Sequence, residues 1–468
     1  MPPEKTPPRS LRKPAAPATA PTARGTAART LGAAKPAATK APRSATVTPI
    51  ASARAARESA PKAPRSGSRV STAALGQRIG NVISTAFGGQ SMLFNFILGA
   101  MFILVSYGLL MVLSASSIDS IKQYRDPMGM FWRQAASATV GLIGLIITST
   151  RSVDWYFKAS RLLLFFGLGM QAAVYIPGVG IDVNGNREWL RMPFGFTIQP
   201  SEFIKLALII SIATLLTTRE HEQFDRKRYT FPALIQAAVA IGAIIIGKDL
   251  GTSLVIAMVA IVMVWLAGAP GEHLRLPLVG GSIVVVALLF SSQSRIGRIL
   301  AWLNPGISDQ ANPYAWQSQH GIWALANSHI IGQGLGMSTL KWSWIPEVEN
   351  DYIFAIIGEE LGILGALATI AIFLLLGYWI VQVGLRAQDS FGRLVSFGVA
   401  AWIVLQAMVN IAVVLQLLPV LGVPLPLISD GGSSLIAGMA AIGVVLSIER
   451  NNHLVLDGGM RRPIRPQR

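Results

Sequence analysis

The chain has 468 residues, of which 52% are hydrophobic and only 13% charged, with no cysteine. Disulfides, thiolate metal sites and cysteine nucleophiles are excluded, and a soluble globular fold is excluded by the many apolar runs that approach or exceed the ~20 residues needed to cross a bilayer. The net charge of +17 is concentrated at one end, since residues 1–92 hold fifteen Lys and Arg against Glu4 and Glu58.

Residues 1–92 read as a basic, Pro/Ala-rich cytoplasmic tail. With no aromatic before Phe87 it cannot bury a core, so roughly 1–75 are expected to be disordered. No apolar run follows Met1, so a cleaved signal peptide is not expected. A basic tail beside a first span marks the cytoplasmic side and can touch anionic lipid; no nucleic acid is expected as a partner. Ten predicted spans follow, at about 94–116, 130–149, 158–176, 200–218, 230–247, 250–268, 276–292, 352–382, 394–418 and 432–449. An even number returns both termini to one side. The expected fold is all-α, a polytopic membrane bundle over 93–450 with a large outer loop between spans 7 and 8, ending in a short basic tail at 451–468.

With both termini inside, the inner loops carry Arg151, Lys158, Arg219, Arg226, Lys227, Arg228, Arg275, Arg386 and Arg393, in keeping with the positive-inside bias. Arg187, Arg191, Arg295, Arg298 and Lys341 fall outside, against that bias. Guanidinium and ammonium groups in such places suit a pyrophosphate. The outer segment 177–199 interleaves Arg with Trp189, Phe194 and Phe196, as expected of a segment lying in the membrane interface. The second outer segment, about 293–350, contains Gly332-Gln333-Gly334-Leu335-Gly336, which follows no βαβ unit and is not a dinucleotide loop. His320 and His329 lack metal-ligand spacing and read as ordinary loop residues.

Asp351 stands at the mouth of the eighth span, near the lipid head groups. An acid there suits an enzyme acting on a lipid-linked substrate, and equally suits a helix cap. On helical projection Ala355, Gly358, Gly362 and Gly365 continue below Asp351 as a stripe without bulk, fit for a lipid tail or a packed helix. Glu359 points away and sits deeper, bonding within the bundle. Glu202 and Lys205, one turn apart in the fourth span, form a self-neutralising pair with a structural role.

The blocks Asn184-Gly185, Arg187 and Trp189; Gln199-Pro200-Ser201-Glu202 with Lys205; Asp249-Leu250-Gly251-Thr252; Gly334-Leu335-Gly336 with Ser338 and Lys341; Pro346-Glu347 with Asp351-Tyr352-Ile353-Phe354-Ala355; and Pro424-Leu425-Pro426 with Ser429 and Gly431-Gly432-Ser433-Ser434 resemble the SEDS family along roughly 94–450. Ser114-Ala115-Ser116 and Asn350-Asp351 favour its cell-division branch over its elongation branch. The resemblance implies an inverting peptidoglycan glycosyltransferase that polymerises lipid II outside the bacterial cytoplasmic membrane at the division septum, expelling undecaprenyl pyrophosphate. It also implies a cognate class B penicillin-binding transpeptidase and other divisome membrane proteins as partners, with membrane lipid around it and a divalent cation, Mg or Mn, as a candidate cofactor. On it, Asp351 is the catalytic base. Arg187, Arg191, Arg298 and Lys341 are candidates for the diphosphate, and Ser338, Asp249, Ser433 and Ser434 for substrate contacts. The chain departs from the family's pattern at Gly247-Lys248, where Gln-Pro is usual, and at Asp430, where Tyr is usual. The latter places a second exposed acid near the site. A lipid II flippase, which would use the intramembrane Glu202, Lys205, Glu359 and Glu360, and a division scaffold are the alternative readings.

Overall fold

The computed structural model describes residues 91–183, 186–192, 196–304, 313–339 and 349–456. The expectations for the basic tail up to residue 90, for Lys341 and for most of the C-terminal tail lie outside the described residues. Twelve α-helices are described: α1 (Met92–Tyr124), α2 (Gly129–Thr150), α3 (Val153–Ala173), α4 (Pro200–Thr218), α5 (Phe231–Ile246), α6 (Leu250–Leu266), α7 (Gly271–Leu289), α8 (Gln293–Leu303), α9 (Pro313–Ala326), α10 (Ile353–Arg386), α11 (Ser390–Val414) and α12 (Gly432–Leu456). Each predicted span coincides with one of α1–α7 or α10–α12. Among the described residues eight helices are long and apolar enough to cross a membrane, and α6 is a shorter apolar helix. The chain is a polytopic, all-α membrane protein.

Local chemistry sets the ends. Ser91 caps α1 by accepting from the Phe94 N–H at 3.1 Å, Ser152 caps α3, and α4 starts on Pro200, whose missing N–H costs nothing in a first turn. α12 is the most enclosed element and packs along α2. The two helices approach so closely that a Cβ on Gly443 would stand 2.0 Å from the Thr148 hydroxyl oxygen. α10 lies against α11, and α3 against α4. α7 is the opposite case, with Leu276, Val279, Ile283 and Val286 all exposed, as suits a helix facing lipid.

Three differences from the sequence reading stand out. α1 runs to Tyr124, past the predicted end of the first span at about 116, so Ser114-Ala115-Ser116 lie inside the helix rather than at its end. The outer segment 177–199, for which no strand was expected, contains a three-stranded antiparallel sheet, β1 (Gly180–Val183), β2 (Asn186–Arg191) and β3 (Thr197–Ile198). Finally, α10 is broken at Gly362, which adopts φ 72° and ψ −171°, so the projected stripe does not continue past it. The stripe is also filled: a Cβ on Gly358 would meet the Leu325 side chain at 2.2 Å, and one on Gly362 the Ile330 carbonyl oxygen at 2.4 Å.

Candidate active site

The site forms where β2, the start of α6, the turn before α10 and the loop after α11 meet. α10 begins at Ile353 with Tyr352 at its N-cap, and the Tyr352 side chain makes no capping hydrogen bond. Asp351 is therefore outside the cap position and half-buried. Its backbone is fixed from below, because the Asn410 side-chain amide donates to the Asp351 carbonyl at 2.9 Å and to the Val423 carbonyl at 2.8 Å. Gly422, at φ 70°, passes beside the carboxylate; a Cβ there would stand 3.7 Å from Asp351 Oδ2. The chain must take a left-handed turn and leave the acid room, and glycine does both.

Asp249 caps α6, its Oδ1 accepting from the Thr252 N–H at 2.9 Å. The start of α6 is pressed on the loop after α11, since a Cβ on Gly251 would lie 2.5 Å from the Leu421 carbonyl oxygen. The other oxygen, Oδ2, accepts from the Gln199 amide at 3.2 Å, and the same nitrogen donates to Glu188 Oε2 at 3.2 Å. Glu188 is the extra residue of a β-bulge: Ile181 pairs with Trp189 and Asp182 with Arg187, which leaves Glu188 unpaired in the ladder. Such a bulge re-aims a side chain, and here it turns the carboxyl toward Asp249. Burial, then the Asp249 charge and hydrogen bond, push the Glu188 carboxyl up to about 9, with Asp351 adding a smaller push in the same direction. Glu188 thus keeps its proton at neutral pH, and Asp351 is within electrostatic reach.

Arg298, on α8, donates to the Val420 carbonyl at 3.5 Å and is close enough to Tyr352 to act on its hydroxyl electrostatically. Trp302, one turn on, anchors α8 by donating to the Gln416 carbonyl at 2.8 Å. Arg187 and Arg191 are exposed on β2, with Arg187 3.7 Å from Asp182. Ser433 is buried at the start of α12 and accepts from the Gln199 N–H at 2.9 Å, with Ser434 buried beside it.

Other predicted residues lie elsewhere. Ser338 is buried and donates to Glu359, so it belongs to the bundle interior rather than to a substrate surface. Glu359 bonds within the bundle, as expected of it. Asp430 is not an exposed acid: its side chain is 3% exposed and pairs with Arg133 of α2 at 2.9 Å. Burial raises its carboxyl and Arg133 opposes the shift. Glu202 and Lys205 pair at 2.7 Å inside the bundle, where Lys205 also donates to Gln406 at 2.8 Å and lies 5.0 Å over the Trp402 ring. His320 is a buried helix residue of α9, its ring packed between Trp316 and Trp323, rather than a loop residue. The sequence reading missed Glu188, Gln199 and Asn410 as site-forming residues. Glu188 lies between Arg187 and Trp189 of the first block, but a bulge in a six-residue strand leaves no periodic signal.

Among the described residues no three His, Asp or Glu side chains converge to hold a metal ion. The Glu188–Asp249 pair, already spanned by Gln199, does not form a cage for a divalent cation.

A family profile described as a cell cycle protein, covering FtsW, RodA and SpoVE, matches residues 94–454. The chain is 35% identical over 354 residues to a protein named probable peptidoglycan glycosyltransferase FtsW from Trichlorobacter lovleyi, covering 74% of this chain and 90% of that one. It is 36% identical over 351 residues to stage V sporulation protein E of Bacillus subtilis, covering 74% and 94%. Among solved structures, it resembles a chain reported under structural coordination of polymerization and crosslinking by a peptidoglycan synthase complex, with TM-score 0.63 and 25% identity over 78% of this chain and 99% of that one. The rod shape determining protein RodA of Thermus thermophilus matches with TM-score 0.57 and 25% identity over the same shares.

Proposed function

The chain belongs to the FtsW/RodA/SpoVE family, the SEDS family of its sequence blocks, and we propose from that premise that it is a peptidoglycan glycosyltransferase polymerising lipid II at the outer face of the bacterial cytoplasmic membrane. The observation that carries this reading is the gathering of Asp351, Glu188, Asp249 and Arg298 at one end of the bundle, around the mouth of α10. Acids and cations meeting where a span emerges suit chemistry on a lipid-borne sugar diphosphate.

In the proposed reaction the 4-hydroxyl of the GlcNAc of one lipid II attacks the anomeric carbon of the MurNAc of another. Asp351 takes the hydroxyl proton as the new C–O bond forms. The bond to undecaprenyl pyrophosphate breaks and carries off its electron pair, and the single displacement inverts the anomeric centre. Arg298, with Arg187 and Arg191 on the exposed side of β2 and Lys341, supplies cationic donors for the departing diphosphate. Asp249, Ser433 and Ser434 line the same end, and Glu188 keeps Asp249 oriented. A divalent cation, where one is bound, would help neutralise the substrate diphosphate beside these cationic side chains.

We place the activity at the septum, with both termini cytoplasmic. The cognate class B penicillin-binding transpeptidase and other divisome membrane proteins are the proposed partners, a reading supported by the resemblance to a chain from a peptidoglycan synthase complex. A flippase reading would use intramembrane acids, but Lys205 neutralises Glu202 directly and Ser338 and Thr339 occupy Glu359. Purified full-length protein given lipid II in detergent should yield a ladder of glycan chains. Translocation of lipid II across a bilayer, with no polymer formed under either condition, would establish the flippase instead.

A further inference from the structure

The break in α10 leaves peptide groups without helical partners, and the segment 329–334 takes them up. Ile363 and Leu364 donate to the carbonyls of His329 and Ile330 at 3.2 and 3.3 Å, while Gln333 and Gly334 donate to those of Glu359 and Glu360 at 3.0 and 2.9 Å. Two acids therefore stand side by side, immediately before an interruption in a membrane-spanning helix. Both are fully buried, and neither takes part in an ion pair among the described residues. Their surroundings differ. Glu359 is satisfied as a carboxylate: Ser338 donates to Oε2, and Thr339 donates to Oε1 from its N–H at 3.0 Å and its hydroxyl at 2.7 Å. Glu360 has the Ser114 hydroxyl of α1 on Oε1 at 2.5 Å and the Ser338 N–H at 3.4 Å, whereas its buried Oε2 has no hydrogen-bond partner among the described residues.

We propose that Glu360, with the Ser114 hydroxyl, binds a small monovalent cation at the break of α10. An ionised carboxylate oxygen with no partner in a membrane interior is costly, and the cost is removed by a cation or a proton. Interrupted spans, where unwound backbone and acids coincide, are where membrane proteins hold sodium or protons. The donors are all oxygen, which selects a hard cation over a soft one. Glu359 already has donors on both oxygens, so Glu360 Oε2 is the one open carboxylate oxygen of the two acids, which suits a monovalent ion better than a divalent one. The cation would tie α1 to the outer half of α10, the half that carries Asp351 at its tip, and it takes no part in the glycosyl transfer itself.

The test is the thermal unfolding midpoint of the purified full-length protein in detergent, titrated with NaCl against choline chloride at constant ionic strength. The site predicts a midpoint that rises and saturates with sodium and does not move with choline. Glu360→Gln, nearly isosteric and neutral, should lose the sodium response, and Ser114→Ala should need several-fold more sodium to reach it. Identical wild-type midpoints in the two salts would overturn the proposal even if Glu360→Gln failed to fold. So would a sodium response that persists in Glu360→Gln. A midpoint that follows acidification but not sodium would assign a proton to Glu360 and overturn the cation.

Discussion

Glu188 shows how one carboxyl can report on the whole site. It is faced by Asp249 from α6, by the Gln199 amide and, at longer range, by Asp351. Its carboxyl titrates at about 9 in the folded protein and in the ordinary carboxylate range when unfolded, so between the two the native state holds the extra proton. Stability contributed by the neutral form is complete below the ordinary range and is lost as pH rises toward and through about 9. The melting midpoint should fall from just above the ordinary carboxylate range up to about pH 9, and Glu188→Gln should flatten that fall; an unchanged slope in the variant would remove Glu188 as its source. Lys205 makes the opposite point, because its charge is required. Lys205→Met leaves Glu202 buried beside it without a countercharge, a change that costs about 3–5 kcal/mol. Adding Glu202→Gln should recover much of the loss in chemical denaturation, and failure to do so would show that Gln406 and Trp402, not the ion pair, dominate. The sequence placed the Glu202–Lys205 pair correctly, because residues one helical turn apart meet by geometry alone. It misplaced Asp430, whose partner Arg133 is 297 positions away, a distance no local pattern spans.

At the scale of elements, apolar runs located the helices because lipid demands long, uniform hydrophobic segments. The small sheet escaped notice for the converse reason: strands of two to six residues carrying Asp, Arg and Glu show no alternation of apolar and polar positions. The break in α10 was equally hidden, since both halves are apolar and helical and the interruption depends on residues 329–334 folding back onto it. That dependence is testable. Gly362→Ala must adopt a left-handed φ of 72° and place a Cβ 2.4 Å from the Gly332 N–H and the Ile330 carbonyl oxygen. That backbone conformation, at positive φ with extended ψ and all but closed to residues with a Cβ, alone costs about 1–3 kcal/mol, and the collision adds to it. Gly169→Ala in α3, where a Cβ meets nothing within 4 Å, should be neutral or stabilising. Equal midpoints for the two variants would mean that α10 is continuous in solution.

For the whole molecule, the proposed topology puts 1–93, 219–229 and 450–468 in the cytoplasm and the sheet with α8, α9 and the segment before α10 outside. The absence of cysteine allows single-cysteine labelling without background. Leu335 and Lys227 are both exposed and suit the test, whereas His320, in the same outer segment, is buried and would stay silent on either side. Position 335 should react in intact spheroplasts and position 227 only after permeabilisation; the reverse would put the site on the wrong face. Membership of the family was legible from widely spaced blocks, each too short to mean much alone, whose order and spacing together are specific. What those blocks could not convey is which of their residues converge. Convergence is set by contacts such as Asn410 with the Asp351 and Val423 carbonyls and Gln199 between two acids.

Glycan-chain formation from lipid II by Asp351→Asn, run beside the parent and Asp430→Asn, tests Asp351 as the base directly. Asparagine keeps the volume of Asp351 and leaves the Asn410 contact to its backbone carbonyl intact, but it cannot accept the proton of the attacking hydroxyl. General-base catalysis contributes ~10²–10⁴-fold, so Asp351→Asn should fold, retain lipid II and give no visible polymer. Asp430→Asn, which weakens the buried pair with Arg133, should lose activity only in part. Polymer from Asp351→Asn at close to the parent rate, with Asp430→Asn inactive, would contradict the account and move the base to Asp430.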